Sequence, residues 1–288
     1  MTKILVTGAT GILGGSVIET LLKKIAPEQI SILTRKEDKR LAFQSKGFNA
    51  YLGDYNDVLA LEKAMEGVDA VLLISSGDQG DRMQEHKNVI DAAKKMGVKN
   101  LAYTSRALKN RDSLCNKLML EHFQTEDYIK ESGLQYIVFR NALYLDVVPL
   151  FVGKQVFETG IFQPAGDGKV AYALRQEQGE AMANVLLNEK FDNQTYKFTG
   201  GDAYSFYDVA AALMELSGKM VKYTAVEVPA FEAMMQQRGF ADPMVKKIVD
   251  FNLDIKNGQE SEVTSDLEHK LGRKPATLKE GLKRLYNM

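Results

Sequence analysis

The sequence predicts an α/β protein with a Rossmann-type, doubly wound parallel sheet and a smaller, mainly helical C-terminal lobe. Three observations carry that expectation. Short apolar runs alternate with amphipathic helical stretches over the first 140 residues. These runs are apolar on both faces, as strands of a parallel sheet covered on both sides must be. A glycine-spaced turn, Gly8-Ala-Thr-Gly11-Ile-Leu-Gly14, follows the first run and opens the first helix.

The strands are expected at Ile4–Val6, Ile30–Leu33, Ala50–Leu52, Ala70–Ile74, Leu101–Thr104 and Tyr136–Phe139. Between them, Val17, Ile18, Leu21, Leu22 and Ile25 recur at helical spacing. Val58, Leu61 and Met65 do the same, as do Val89, Ala92, Ala93 and Met96. Gly47, Gly67, Gly97 and Gly133 close helical patterns just before strands, where a left-handed cap is expected. After Arg140 the pattern changes. Residues 141–175 read as loops and short pieces. Helical patterns then cover 177–189, 204–217, 230–239, 264–272 and 277–286, with strand-like stretches at Thr195–Thr199 and Val221–Val226. The expected division is a dinucleotide-binding domain over 1–145 and a mixed segment over 146–288. The second segment forms a substrate lobe and returns elements to the sheet.

Composition narrows the functional classes. Of 288 residues, 45% are hydrophobic and 26% charged, the profile of a globular chain. A net charge of −1 gives no long-range field for a polyanion, so nucleic acid is not expected as the main partner. Cys115 is the single cysteine, which rules out an internal disulfide and a cysteine-based zinc site. A reducing cytoplasm is the expected compartment. No apolar run approaches the ~20 residues of a membrane span, so no membrane partner is expected. His86 and His122 have no second ligand at metal spacing, so no metal is expected. His86 reads as a helix surface or groove residue. Oligomeric state is left open, a homo-oligomer included.

The glycine turn points to a bound dinucleotide. Gly8 allows the sharp turn, Gly11 lets the backbone approach a pyrophosphate, and Gly14 lets helix and strand pack closely. The pyrophosphate then meets unpaired N–H groups at the helix start, so Gly8, Thr10, Gly11, Ile12 and Leu13 are the expected contacts. In this fold an acidic residue about 20 positions further takes a ribose 2′-hydroxyl, and an arginine a 2′-phosphate. The second strand ends Leu33-Thr34-Arg35-Lys36, with no Asp or Glu at that place. Guanidinium binds phosphate through paired N–H bonds, so Arg35 favours NADP(H) over NAD(H). Lys39 stands open between phosphate binding and a solvated helix start. The remaining strand ends offer further contacts. Asp54 either accepts from the adenine amino group or caps the helix starting near Asn56. Ser75, Ser76 and Gly77 are small enough for ribose and nicotinamide to lie against the sheet, and Thr104 ends the fifth strand beside them.

Several segments occur in the order of a known family. They are Thr7-Gly8-Ala-Thr-Gly11-Ile-Leu-Gly14, Arg35, Gly53-Asp54, Leu72-Leu-Ile-Ser-Ser76, Ala102-Tyr-Thr-Ser105, Phe139-Arg-Asn141 and Ala165-Gly-Asp-Gly-Lys169. The chain resembles the atypical short-chain dehydrogenases/reductases of the NmrA-like group. Within it the likeness is to the bacterial type 2 NAD(P)H:quinone oxidoreductases and the triphenylmethane reductases. The resemblance implies hydride transfer from NADPH to a small aromatic, quinone or quinone-like dye acceptor. It also implies that Asn141 and the residues after it, Ala142 and Tyr144, contact the nicotinamide end. Ser105 stands where the superfamily places a catalytic serine and would polarise an acceptor oxygen. Tyr144, Phe151 and Phe162 are candidates to stack on a flat acceptor, with Phe157 beside them. Met234 and Met235, near Phe231, read as helix core.

Two departures stand out. The Tyr-x-x-x-Lys pair that protonates a carbonyl in the wider superfamily is missing: Tyr103 meets Ala107, Tyr128 meets Ser132, Tyr136 meets Arg140 and Tyr144 meets Val148. Quinone reduction survives that loss, because hydride addition yields a stabilised phenolate that water protonates. After Lys169 the relatives carry an Asp and alanines, whereas this chain reads Leu174-Arg-Gln-Glu177-Gln-Gly179, with a glycine early in a helix. A second reading is a dinucleotide-binding redox sensor of the NmrA type that signals without catalysis. It needs no open acceptor pocket.

Overall fold

The computed structural model describes residues 2–77, 80–153 and 155–288. Five strands come first in the chain: β1 (Ile4–Val6), β2 (Ile30–Thr34), β3 (Asn49–Leu52), β4 (Ala70–Leu73) and β5 (Asn100–Arg106). Between them run α1 (Ile12–Leu21), α2 (Glu37–Gln44), α3 (Val58–Ala64) and α4 (Arg82–Lys95). Next are α5 (Leu120–Ser132), β6 (Gln135–Asn141), α6 (Val148–Val152), α7 (Val156–Thr159), β7 (Ile161–Gln163), β8 (Lys169–Val170), α8 (Arg175–Asn188) and β9 (Gln194–Phe198). The chain ends with β10 (Tyr204–Ser205), α9 (Phe206–Ser217), β11 (Tyr223–Ala225), α10 (Val228–Gln237), α11 (Asp242–Lys256), α12 (Asp266–Leu271) and α13 (Leu278–Tyr286).

Seven strands form one doubly wound parallel sheet in the order β3-β2-β1-β4-β5-β6-β9. Ile4, Leu5 and Val6 pair in register with Ile30–Ile32 on one side and Ala70–Leu72 on the other. All three are fully buried, as central parallel strands require. The order reverses at β1, which opens the crevice where such sheets bind ligands.

The chain divides into two compact units. One holds residues 1–106, 121–140 and 175–197; the other holds 107–120, 141–174 and 198–288. In the first, α8 packs along α1. A Cβ on Gly179 would lie 2.7 Å from Ser16 Cβ and 2.9 Å from Leu13 O. The glycine that looked out of place early in a helix is therefore demanded by helix-to-helix approach.

In the second unit, Phe206, Leu213, Tyr223, Ile255, Leu278 and Leu282 belong to one core cluster. Its β7 and β11 pair in parallel, and β8 and β10 antiparallel. The 107–120 segment is strapped to the end of α11. Cys115 N and Asn116 N donate to the two oxygens of Asp254 at 2.7 and 3.0 Å, and Asn110 N donates to Gln259 Oε1 at 2.9 Å. Burial drives the Asp254 carboxyl upward from its ordinary range, against the pull of those amides.

The helix α11 has no counterpart in the sequence expectations, which leave 240–263 unassigned. Its buried stripe, Val245, Val249, Asn252, Asp254 and Ile255, includes two polar residues. Asn252 Nδ2 donates to the local Ile248 O at 2.9 Å, Asp254 takes the distant 115–116 backbone, and the two polar residues hide the apolar period from a sequence reading.

Candidate active site: a glycine-cut groove and an apolar cavity

The groove of the first unit has a volume of about 210 Å³ and is walled by the ends of β1 to β4. Gly8, at φ +60°, makes the turn out of β1. A Cβ on Gly14 would sit 2.4 Å from Gly8 O, so strand end and helix start touch backbone to backbone. No side chain caps α1, and its first turn holds no acidic residue. Its leading N–H groups are left for an anion. Gly8, Thr10, Gly11 and Ile12 are exposed there. Leu13 is buried, so its side chain belongs to the core and only its backbone serves the turn.

One residue absent from the sequence reading fixes this wall. Tyr55 OH lies 2.6 Å from Thr7 Oγ1 and donates to Ile74 O at 2.7 Å. Thr7 Oγ1 in turn accepts from Ile74 N at 2.9 Å and donates to Leu72 O at 3.0 Å. The network ties the ends of β1 and β4 to the loop after β3. Burial raises the Tyr55 phenol well above its ordinary range, so it stays a neutral donor.

Arg35 lines the groove at the end of β2 and is exposed. It has no ion-pair partner among the described residues. Its neighbour Arg40 is taken: Nε donates to Glu37 Oε2 at 2.7 Å and Nη1 to Gln44 Oε1 at 2.9 Å, with a further Glu37 contact. Of the basic run, the structure leaves Arg35 in the wall; Lys36 precedes α2 as its N-cap. Asp54 lines the groove too, and its Oδ1 accepts from Asn56 N at 2.8 Å and Asp57 N at 3.2 Å. The cap of α3 is Asp57, whose Oδ1 accepts from Ala60 N at 3.0 Å, while one oxygen of Asp54 holds the turn before it. Glu85, from α4, completes the wall and was not anticipated.

Ser75, Ser76 and Gly77 line the opposite wall. Two buried side chains hold that loop. Ser75 N donates to Thr104 Oγ1 at 2.8 Å, and Ser76 N donates to His86 Nε2 at 3.0 Å. Thr104 is therefore placed behind the loop, not on the groove surface, in contrast to the expectation from its strand end. His86 is fully buried and is neither a surface nor a groove residue. Because Nε2 accepts, the assigned tautomer carries its proton on Nδ1, 2.9 Å from Thr125 Oγ1. Burial, with help from the Arg82 guanidinium, pushes the imidazole down to about 3. His122 is likewise held neutral, mainly by burial.

Ser105 differs most from its expected role. It is buried at the end of β5, and its hydroxyl donates to Glu126 Oε1 at 2.6 Å. Arg140 grips the same carboxylate with Nε on Oε1 at 2.9 Å and Nη2 on Oε2 at 2.6 Å. The serine proton is committed to an interior ion pair between α5 and β6. That geometry is structural support, not an acid or electrophile presented to a ligand. Glu126 was not flagged in the sequence and Arg140 was read only as part of a strand-end segment, because only the fold brings 105, 126 and 140 together.

Asn141 closes β6 fully buried, and neither of its side-chain amide atoms has a hydrogen-bond partner among the described residues. The same holds for Ser76 Oγ. Buried polar atoms left in this state ask for a ligand partner. Together with the glycine turn and open Arg35, Ser76 Oγ fits a phosphorylated dinucleotide. Ala142 is buried, with its N–H on Phe198 O at 3.0 Å. Tyr144 is half-buried and joined to Ala173 by an isolated parallel bridge.

The second unit has a cavity of about 550 Å³, within the size range of small-molecule sites. Phe151 and Phe162 line it, as do Phe231, Met234, Met235 and Phe251 from α10 and α11. Met234 and Met235 thus face a cavity as well as the core. Phe157 is placed otherwise: its ring meets Tyr286 edge-on at 5.6 Å. The α10–α11 contribution was illegible in the sequence, since it lies about 80 residues from the aromatic run it joins.

The NmrA-like family matches the chain over residues 1–285. The chain belongs to the NmrA-like family. This NmrA-like chain is 35% identical to quinone oxidoreductase 2 of Escherichia coli strain K12 over 286 residues, covering 99% of each. The structure of an NADPH-dependent quinone oxidoreductase from Escherichia coli, complexed with NADPH, superposes with a TM-score of 0.92 at 34% identity. It covers 99% of this chain and 100% of the other. The triphenylmethane reductase of a Citrobacter species superposes with a TM-score of 0.90 at 33% identity, again covering 99% and 100%. Among the described residues no helix is long and apolar enough to cross a membrane, and no group of three acidic, histidine or cysteine side chains is placed to hold a metal.

Proposed function

We propose that this protein is an NADPH-dependent reductase that passes a hydride to a quinone or quinone-like aromatic acceptor. The observation that carries the reading is Arg35, exposed in the groove wall beside the glycine turn while Arg40 is bound by Glu37 and Gln44. It supplies a planar, two-pronged cation where a 2′-phosphate is expected. The full-length likeness to quinone and dye reductases supports the same reading.

NADPH, when bound, supplies the hydride. The first turn of α1 receives the pyrophosphate, and Arg35 receives the 2′-phosphate. Asp54 keeps its second oxygen for the adenine end. Ser76 Oγ is the buried group of the groove available to the ribose. Ser105 acts as a positioning residue through Glu126 and Arg140. No buried acid is needed, because the hydride adds to the quinone, the product is a hydroquinone anion, and water supplies the proton. The chain's work is to hold the reactants together and keep bulk water from the hydride.

The test is NADPH oxidation with a panel of small quinones, run beside NADH. Quinone-dependent loss of NADPH that falls in Arg35→Ala supports the reading. Tight NADPH binding with no turnover on any quinone or dye overturns it in favour of a sensor.

A further inference from the structure

The second-unit cavity has a chemistry of its own. Its wall is mostly aromatic and thioether, from rings such as Phe151, Phe162 and Phe231 with Met234 against them. Rings and sulfur of this kind favour a flat aromatic guest over a flexible chain. Two formal charges line it, Arg238 and Lys247, and both are positive; no carboxylate belongs to the wall among the described residues. One polar group breaks the apolar surface. Gln163 is buried in the wall, its Nε2 donates to Phe151 O at 2.6 Å, and its Oε1 has no partner among the described residues. An acceptor left this way asks for an O–H or N–H from a guest.

We infer that this cavity is a binding site for an aromatic acid: a flat ring system with an anionic group for Arg238 and a hydrogen-bond donor for Gln163. The rings would desolvate the guest's apolar body. Arg238 would select its charge, and Gln163 its hydroxyl or amine. The inference does not depend on hydride transfer, and its test involves no turnover, so it stands or falls apart from the reductase reading.

Two fluorescent probes share one fused aromatic body and one N–H. Anilinonaphthalene sulfonate carries a sulfonate, and phenylnaphthylamine is its neutral twin. The sulfonate is expected to bind roughly tenfold tighter, the value of one charge-assisted contact. Replacing Arg238, an exposed side chain, by Gln, alone and with Lys247→Gln, should bring the sulfonate down to the neutral twin's affinity. The neutral twin should change by less than about twofold. The chain has no tryptophan, so Phe240→Trp adds a single donor to the cavity wall, and the bound probe should quench it. Hydroxynaphthoate should displace the probe at lower concentration than naphthoate, and dodecanoate least well. Equal affinity for the two probes overturns the charge selection. Parallel loss of both in Arg238→Gln does so as well, and an unquenched tryptophan overturns the location. Displacement best achieved by dodecanoate overturns the aromatic class.

Discussion

The groove and the cavity are built on opposite principles. The groove is made from consecutive residues at strand ends, cut open by glycines, and lined by backbone N–H groups, hydroxyls and one arginine. The cavity is made from side chains of two stretches far apart in sequence, and is lined by phenylalanine and methionine. A groove of backbone suits what is common to every dinucleotide, and under the proposed function its specificity rests on Arg35. A cavity of side chains admits whatever its rings and charges fit. Substitutions should therefore separate into two groups, those that move the cofactor and those that move a guest of the cavity.

The strongest break comes from Gly14→Val. A side chain there meets Gly8 O at 2.4 Å or less, and backbone must shift on both sides. Destabilisation by about 4 kcal/mol is expected, a fall of roughly 10 °C in Tm, with loss of NADPH binding. A melting curve like the wild type would show that the turn is not the rigid element described above.

Next is Glu126→Gln, which removes a buried charge and leaves Arg140 without its carboxylate. The expected cost is about 3 kcal/mol in chemical denaturation. Ser105→Ala removes one hydrogen bond of the same cluster and should cost about 1 kcal/mol, with turnover kept within about threefold. A turnover loss of a hundredfold in Ser105→Ala, at unchanged stability, would restore the serine to a catalytic role.

Arg35→Ala against Phe162→Ala sharpens the comparison directly. The first should raise KM for NADPH roughly tenfold to a hundredfold and leave NADH within about twofold. The second should weaken binding of anilinonaphthalene sulfonate in the cavity by about fivefold and leave KM for NADPH unchanged. If either variant moves both constants together, the two regions do not divide the work as proposed.

The remaining effect concerns pH. Unfolded, His86 takes up a proton below about 6.5; folded, it stays neutral down to about 3. The unfolded chain binds the extra proton across that window, so stability is full above it and falls as pH drops through it. At about pH 5 the loss from His86 is about 2 kcal/mol. His86→Gln, compared by denaturation at neutral pH and at about pH 5, should show a correspondingly shallower fall. An identical slope would mean that the buried imidazole is protonated after all.

What could be read from the sequence followed how local each feature is. The turn from Gly8 to Gly14, the end of β2 at Arg35 and the loop at Ser75–Gly77 are each set by a few adjacent residues. Backbone conformation and strand alternation act over that range, so the residues themselves carried the information. Thr104 and Ser105 were legible as strand-end residues, yet their roles were not. A strand end alternates faces, and the structure turns both hydroxyls inward, onto Ser75 N and Glu126.

The sequence by itself determined the parallel sheet, the phosphate-binding turn and the preference implied by an arginine in place of an acid after β2. Those depend on side-chain period, glycine geometry and charge type, which are properties of single positions and their near neighbours. Only the tertiary structure decided that Gly179 must be glycine, because a second helix lies against it. Tertiary packing alone made His86 a neutral support and committed Ser105 to an ion pair. It also gathered Phe151, Gln163, Phe231 and Arg238 around one cavity. Burial and long-range contact set these roles, and neither is a property of a residue until the chain has folded around it.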